Sequence, residues 1–470
     1  MSNRDPATLS ATELLHHYRH RQLSPVEVTQ ACLERIERWN GQVHAFCHVD
    51  GEAALATARE SEARWAAGTP AGLLDGVPVT IKDLVLTQGW VARRGSLTTA
   101  DHPPAAADAP ATARLREAGA VLLGSTTTPE FGWKGVTDNP LGHVARNPWD
   151  VSRTSGGSSG GAGIAAALGM GALHIGTDGG GSIRIPSSFC GIVGLKPTFG
   201  RVPAWPLSPF GTVAHLGPMT RTVADAALML TVISRPDLRD WHALPPDGRD
   251  YRVGLEDGIA GLRIAASADL GSLEVDEDVR AGFEAALEVL AGLGARVERA
   301  DPPVAGAAGI FARTWFPAAA RLIEKLTPEQ RDLLDPGLVA MSGQGAQFDR
   351  GELQDAILAR GELGVAMQRF LSEHDLLVTP STAIAAFAAG IEHPDPAGQR
   401  WSDWAGFSYP FNLSQQPAIS VPAGFTKDGL PIGLQLVAAK YADALVLRAA
   451  RAFEAARPQP MPIAPRGAVV

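Results

Sequence analysis

Residues 154–182 read TSGGSSGGAGIAAALGMGALHIGTDGGGS, with glycine dense at both ends. Between the glycine runs lie an alanine-rich stretch, 162–168, that reads as a helix, and a short apolar stretch, 173–176, of strand length. Loop, helix, strand and loop in this order is the rhythm of an α/β layer fold, with structured glycine-rich turns beside its strands.

Working outward, Asp75-Gly76 is a turn leading into 77–82, an apolar run of strand length that ends on Lys82. Helix then strand follows at 111–118 and 120–124. Nearer the amino terminus, Ser24-Pro25-Val26-Glu27 is a capping box with proline at the first helical position, and Val28, Cys32, Ile36 and Trp39 continue it at helical spacing. Downstream, Thr222 with Asp225 caps a helix running to Ile233, and the proline-rich polar stretch 235–260 reads as a linker. Strand, helix and strand signals resume at 262–266, 277–293 and 375–380. Near the end, 418–425 and 431–437 flank the turn Thr426-Lys427-Asp428-Gly429 as a hairpin, and 442–457 is a closing helix. Strand signals on both sides of the linker predict one sheet assembled from distant parts of the chain. The expectation is an α/β protein of one domain over 1–470, with amino-terminal helices at about 8–40, a catalytic core at about 70–235 and the rest of the same sheet at about 260–460.

Composition narrows the function. The 470 residues are 45% hydrophobic and 19% charged, with no uninterrupted run of eighteen apolar residues, so a membrane span is not expected. The amino terminus carries no basic-then-apolar export signal, which places the protein in the cytoplasm. A net charge of −9 without a basic cluster argues against nucleic-acid partners. Cys32, Cys47 and Cys190 have neither metal-site nor disulfide-scaffold spacing, and His16, His17 and His20 fall on a helix where solvated roles are commoner than metal binding. No metal and no cofactor are expected.

Lys82 is the unusual residue. A lysine closing a buried strand must pair with a carboxylate or lose its proton, and the neutral amine is a competent general base, so both readings stand on the residue alone. Asp83 points to the opposite strand face and should not pair with it. The hydroxyls of 154–161 precede a helix whose free amides favour developing negative charge, against the bland reading of a flexible loop. The Gly-Lys-Ser/Thr ending of a nucleotide-binding loop is missing. Gly156-Gly157-Ser158-Ser159-Gly160 fits the G-x-S-x-G nucleophile elbow of α/β-hydrolase esterases, with His215 as the histidine. The preceding Arg146-Asn147-Pro148-Trp149-Asp150 is a poor strand for it, and His215 beside Leu216-Gly217-Pro218 reads as a packed loop residue. Gly179, Gly180 and Gly181 before Ser182 let several amides turn toward one point, which suits an oxyanion hole.

Together, Val-Thr-Ile-Lys82-Asp, Gly-Gly-Ser158-Ser-Gly-Gly and Gly-Thr-Asp-Gly-Gly-Gly-Ser182-Ile-Arg-Ile-Pro resemble the amidase signature family. The 76 residues from Lys82 to Ser158 and the 24 from Ser158 to Ser182 match its spacing. Gly194-Leu195-Lys196-Pro197-Thr198, Gly217-Pro218-Met219, 417–424 and 433–436 extend the resemblance over nearly the whole chain. It implies a central mixed sheet sandwiched between helices and a Ser-cis-Ser-Lys triad. Ser182 is then the acyl nucleophile, Ser158, after a cis bond from Gly157, the proton relay, and Lys82 the base, with the amides of Gly179, Gly180, Gly181 and Ser182 as the oxyanion hole.

The resemblance implies hydrolysis of a carboxylic amide through an acyl-serine, with esters and carbamates (urethanes) as further candidates; the partners are then a small-molecule substrate and water, and a homodimer is open. The family also contains the A-type component of the glutamyl-tRNA amidotransferase, which releases ammonia from glutamine and is the main alternative. Residues 331–351 read RDLLDPGLVAMSGQGAQFDRG, without the Arg-Arg-Ile-Met-Leu-Gly type segment associated with that component. Aromatic residues at Phe131 and Trp133, at Trp315-Phe316, and at Trp401, Trp404 and Phe407 either line an apolar or aryl substrate pocket or pack the core.

Overall fold

The computed structural model describes residues 5–395, 398, 400–462 and 464–467. Its strands are β1 Phe46–Val49, β2 Pro78–Lys82, β3 Val121–Thr126, β4 Arg146–Asn147, β5 Asp150–Thr154, β6 Leu173–Asp178, β7 Val193–Lys196, β8 His215–Thr220, β9 Arg263–Ala266, β10 Arg296–Arg299, β11 Leu376–Pro380, β12 Ala418–Phe425 and β13 Pro431–Val437. Eleven of them form one mixed sheet in the order β1-β3-β2-β6-β8-β7-β12-β13-β11-β9-β10. β2 runs parallel to β3 and β6, and β9 runs parallel to β10 and β11. Every pairing from β6 through β8, β7, β12 and β13 to β11 is antiparallel. Segments far apart in sequence therefore share one sheet, and the chain is a single large α/β domain.

Helices cover both faces, which is why β2, β3, β11 and β13 are buried along their whole length. Side-chain alternation sorts their residues between two apolar clusters. Leu376 and Val378 join one while Leu377 joins the other, and Leu436 and Val437 divide in the same way. The first cluster holds the amino-terminal helices and the closing helix Asp443–Ala456. The second is built on helices Ala307–Glu324, Pro336–Gly345 and Arg350–Glu373, a layer to which the sequence reading assigns no elements.

Local signals produce the elements they predict. Ser24 and Glu27 close a complete capping box on helix Pro25–Val43, and Thr222 accepts the N–H of Asp225 at the start of helix Val223–Ile233. Two readings change. Residues 235–260 hold no helix or strand, yet Tyr251, Leu255 and Ile259 are buried in the first cluster, so the stretch is a packed connection and not a linker. His215 to Pro218 is not loop but part of β8: pairing with β6 spans the whole strand, whereas pairing with β7 reaches only Met219 and Thr220, so Pro218 sits where one flank needs no donor. Among the described residues no helix is long and apolar enough to cross a membrane.

Candidate active site

Lys82 ends β2 beside β6, whose residue Ile175 faces Ile81 across the ladder. Its side chain is fully buried, and Nζ lies 2.7 Å from Ser158 Oγ, 2.8 Å from Ser159 Oγ and 2.8 Å from Thr177 Oγ1. All three partners are hydroxyls. The structural ion pair left open by the sequence is absent from this contact set. Burial drives the lysine pKa well below its usual value, with the charge of Asp178 opposing. A neutral amine donates two hydrogen bonds and accepts one, which fits three hydroxyl partners. Ser159 Oγ gives its own proton to the Thr177 carbonyl at 3.1 Å, so it takes an N–H from Lys82. The amine lone pair is left for Ser158 or Thr177.

Asp83 turns away, as strand alternation requires, and accepts the backbone N–H groups of Arg93 at 2.9 Å and Gly95 at 3.2 Å. Burial pushes its carboxyl up to about 7 against those donors.

Ser158 follows a cis peptide bond from Gly157. Lys82 is the one hydrogen-bond partner of its hydroxyl among the described residues. The loop is tied to the other serine, because the Ser159 N–H donates to the Ser182 carbonyl at 3.1 Å. The elbow reading finds less support. β4 and β5 form a separate two-stranded hairpin off the main sheet, so the strand before the loop is not a core strand. His215 Nδ1 instead faces the carbonyls of Val213 at 2.7 Å and Asp178 at 3.2 Å, and burial lowers its pKa well below the usual value.

The turn carrying Ser182 is held by a buried ion pair. Asp178 accepts Arg184 Nε at 2.9 Å, the Ile183 N–H at 3.2 Å, the Gly181 N–H at 2.8 Å and Asn412 Nδ2 at 2.8 Å. Arg184 also reaches Asn412 Oδ1 at 2.7 Å and Gln435 Oε1 at 2.8 Å. Burial raises the Asp178 pKa, but Arg184, Lys196 and Asn412 outweigh it and hold the carboxyl well below the ordinary carboxylate range. Gly181, read from the sequence as an oxyanion donor, thus has its N–H committed to Asp178. The amides of Gly179, Gly180 and Ser182 have no protein acceptor among the described residues. Glycine is needed here for close packing: a Cβ on Gly179 would lie 2.6 Å from the Trp315 ring, and one on Gly180 2.8 Å from Phe311.

Ser158, Thr177, Gly179 and Ser182 open onto one cavity of about 180 Å³. Phe131 and Trp315 line it, joined by Trp205 and Phe210, which the sequence reading does not single out. Phe210 and Trp315 stack with ring centroids 3.7 Å apart. Trp133 is set back from this wall: it is buried in the second apolar cluster, with Gly337 against its ring and its carbonyl accepting Trp315 Nε1 at 3.1 Å. Trp401, Trp404, Phe407 and Phe316 are core residues of that cluster. Ser159 and Thr177 lie inside the quoted motifs, but their contact with Lys82 depends on the β2–β6 register. Asn412 and Gln435 arrive from more than 200 positions away, with no local signal.

A family model described as Amidase matches residues 27–447. The chain is 38% identical to an acylamidase of Rhodococcus erythropolis, over 96% of each protein. It is 35% identical to the A-type component of the glutamyl-tRNA(Gln) amidotransferase of Chloroflexus aggregans (strain MD-66 / DSM 9485), over 92% of this chain and 93% of that one. The solved structure of a bacterial aryl acylamidase of the amidase signature family superposes with a TM-score of 0.89 at 30% identity, over 96% of each chain. The mixed sheet covered by helices on both faces is the α/β fold of these amide hydrolases. The chain belongs to the amidase family and is an amidase signature enzyme, a hydrolase of carbon–nitrogen amide bonds.

Proposed function

We propose that Ser182 is the acyl nucleophile, Ser158 the proton relay and Lys82 the base, acting on an amide that carries an apolar or aryl group. The observation that carries this reading is the 2.7 Å contact of Lys82 Nζ with Ser158 Oγ, free of any carboxylate, at a cavity that Ser182 shares. Neutral Lys82 takes the proton of Ser158 as Ser158 takes that of Ser182, and Ser182 Oγ attacks the amide carbon. The amides of Gly179, Gly180 and Ser182 meet the oxyanion, a stabilisation on the order of 3 kcal/mol for each well-placed donor. The proton then returns through Ser158 to the leaving nitrogen, and water on the reverse path releases the acid and restores Ser182.

The aromatic wall supports an apolar substrate, since burying a ring contributes on the order of 2 kcal/mol. Esters and aryl carbamates suit the same acyl chemistry. Similarity to the A-type components of amidotransferases supports glutamine as the second reading. A serine-directed phosphonate should label Ser182, and Ser182→Ala should lose both label and turnover; label mapped to Ser158 would favour the elbow chemistry instead. In one buffer, kcat/KM should be higher for an acyl anilide or aryl carbamate than for glutamine, and the opposite order would favour the amidotransferase reading.

A further inference from the structure

Arg94 lines the catalytic cavity half-buried, and its guanidinium makes no hydrogen bond or ion pair with any described residue. Its presentation is built by the fold. The backbone of Arg94 is left-handed at φ 53°, as is that of the neighbouring wall residue Phe131 at φ 52°, a conformation disfavoured for large side chains. The Phe131 N–H donates to the Arg94 carbonyl at 2.8 Å, and Asp83 holds the turn through the N–H groups of Arg93 and Gly95. Alternation along one strand end thus aims Lys82 at the serines and Asp83 at the turn that displays Arg94.

Among the described lining residues Arg94 is the one arginine or lysine and Asp240 the one carboxylate. Asp240 is committed: its oxygens accept the backbone N–H groups of Ala204 at 2.8 Å and His242 at 2.9 Å. The charge left uncommitted is positive. We propose that Arg94 is a specificity-determining residue that selects amides bearing a carboxylate on an apolar body. The planar guanidinium pairs with the carboxylate while the amide carbonyl reaches Ser182. Free glutamine also brings an ammonium, and the one lining carboxylate, Asp240, is buried and already accepts two backbone N–H groups. The inference rests on the proposed reading of Ser182 acting on an apolar or aryl amide and narrows its substrate class.

Two matched pairs test it: acetanilide against 4-acetamidobenzoate, with the carboxylate on the amine part, and butyranilide against succinanilic acid, with the carboxylate on the acyl part. At least one carboxylated member should be favoured in kcat/KM on the order of tenfold, mainly through KM and less so at high salt. Arg94→Gln should bring that ratio close to one, and Arg94→Lys should keep part of it. Equal rates within both pairs, or a preference that survives in Arg94→Gln, overturns the assignment. If none of the four compounds is cleaved, the aryl-amide reading of the proposed function fails on its own account. Calorimetric titration of 4-acetamidobenzoate into Ser182→Ala and into Ser182→Ala with Arg94→Gln then decides: affinity lost on the order of tenfold upholds Arg94, while equal affinity or no binding to either overturns it.

Discussion

At the scale of single residues, the proposed mechanism turns on one proton. Lys82 is surrounded by hydroxyls and touches no carboxylate, so the more distant charge of Asp178 is what opposes burial, and burial keeps its pKa well below that of a solvated lysine. In the proposed mechanism the working form is the neutral amine. Activity should therefore rise with pH through the depressed Lys82 pKa to a plateau, and fall as pH drops and the amine is protonated. Lys82→Arg keeps a cation at every accessible pH, so it should lose on the order of 10³-fold in kcat and show no such acid limb. The check is a pH–rate profile of both proteins on one anilide, with folding confirmed by circular dichroism. An unchanged limb in a folded Lys82→Arg protein would remove Lys82 from the role of base.

At the scale of elements, the turn from Asp178 to Arg184 is held in place by one buried carboxylate with several donors. Asp178→Asn leaves Arg184 buried without its charge partner, which should cost about 3–5 kcal/mol of stability. The depressed carboxyl pKa sets the sign of the pH effect: the stabilisation is present above the ordinary carboxyl pKa and is lost as pH falls through the lower folded value. The loss in Asp178→Asn, read by denaturant unfolding, should therefore be full at neutral pH and shrink in strong acid. A uniform deficit across pH would mean that packing, not charge, is what the substitution removes. The same turn shows what sequence reading can reach. Ser182 and its glycines carry their own signature, as do the capped helices and the β12–β13 hairpin, because cap, turn and alternation are local. β8 is hidden by Gly217-Pro218, a pair with poor strand character that is held extended by its neighbour β6. Asn412 and Gln435 acquire their roles only once distant segments meet, and the Gly181 amide, which the glycine run alone assigns to the oxyanion, is already held by Asp178.

At the scale of the whole molecule, the segment that carries Lys82, Ser158 and Ser182 also supplies Phe131, Trp205 and Phe210 to the cavity wall, and the helical layer over the second apolar cluster adds Trp315 and Leu322. Trp315, on helix Ala307–Glu324, joins the two. Its indole N–H is bound by the Trp133 carbonyl, its ring stacks on Phe210, and it lies against Gly179 beside the free amides. Truncation should act on both stability and substrate choice. Trp315→Ala should destabilise the protein by about 3–5 kcal/mol, as for other buried aromatics, and open the cavity next to the Gly179 and Gly180 amides. A ring-bearing substrate loses its stacking surface, whereas a short aliphatic amide never used it, so KM should rise more for an acyl anilide than for propionamide. Trp315→Phe keeps an aromatic face but not the indole N–H, and should restore much of the anilide preference at an intermediate stability. The measurement is kcat and KM for both amides in the three proteins, at a temperature where unfolding curves show each to be native. A proportional loss on anilide and propionamide alike would make Trp315 a support for the Gly179 turn alone, and the aryl preference would then have to come from Phe131, Trp205 and Phe210.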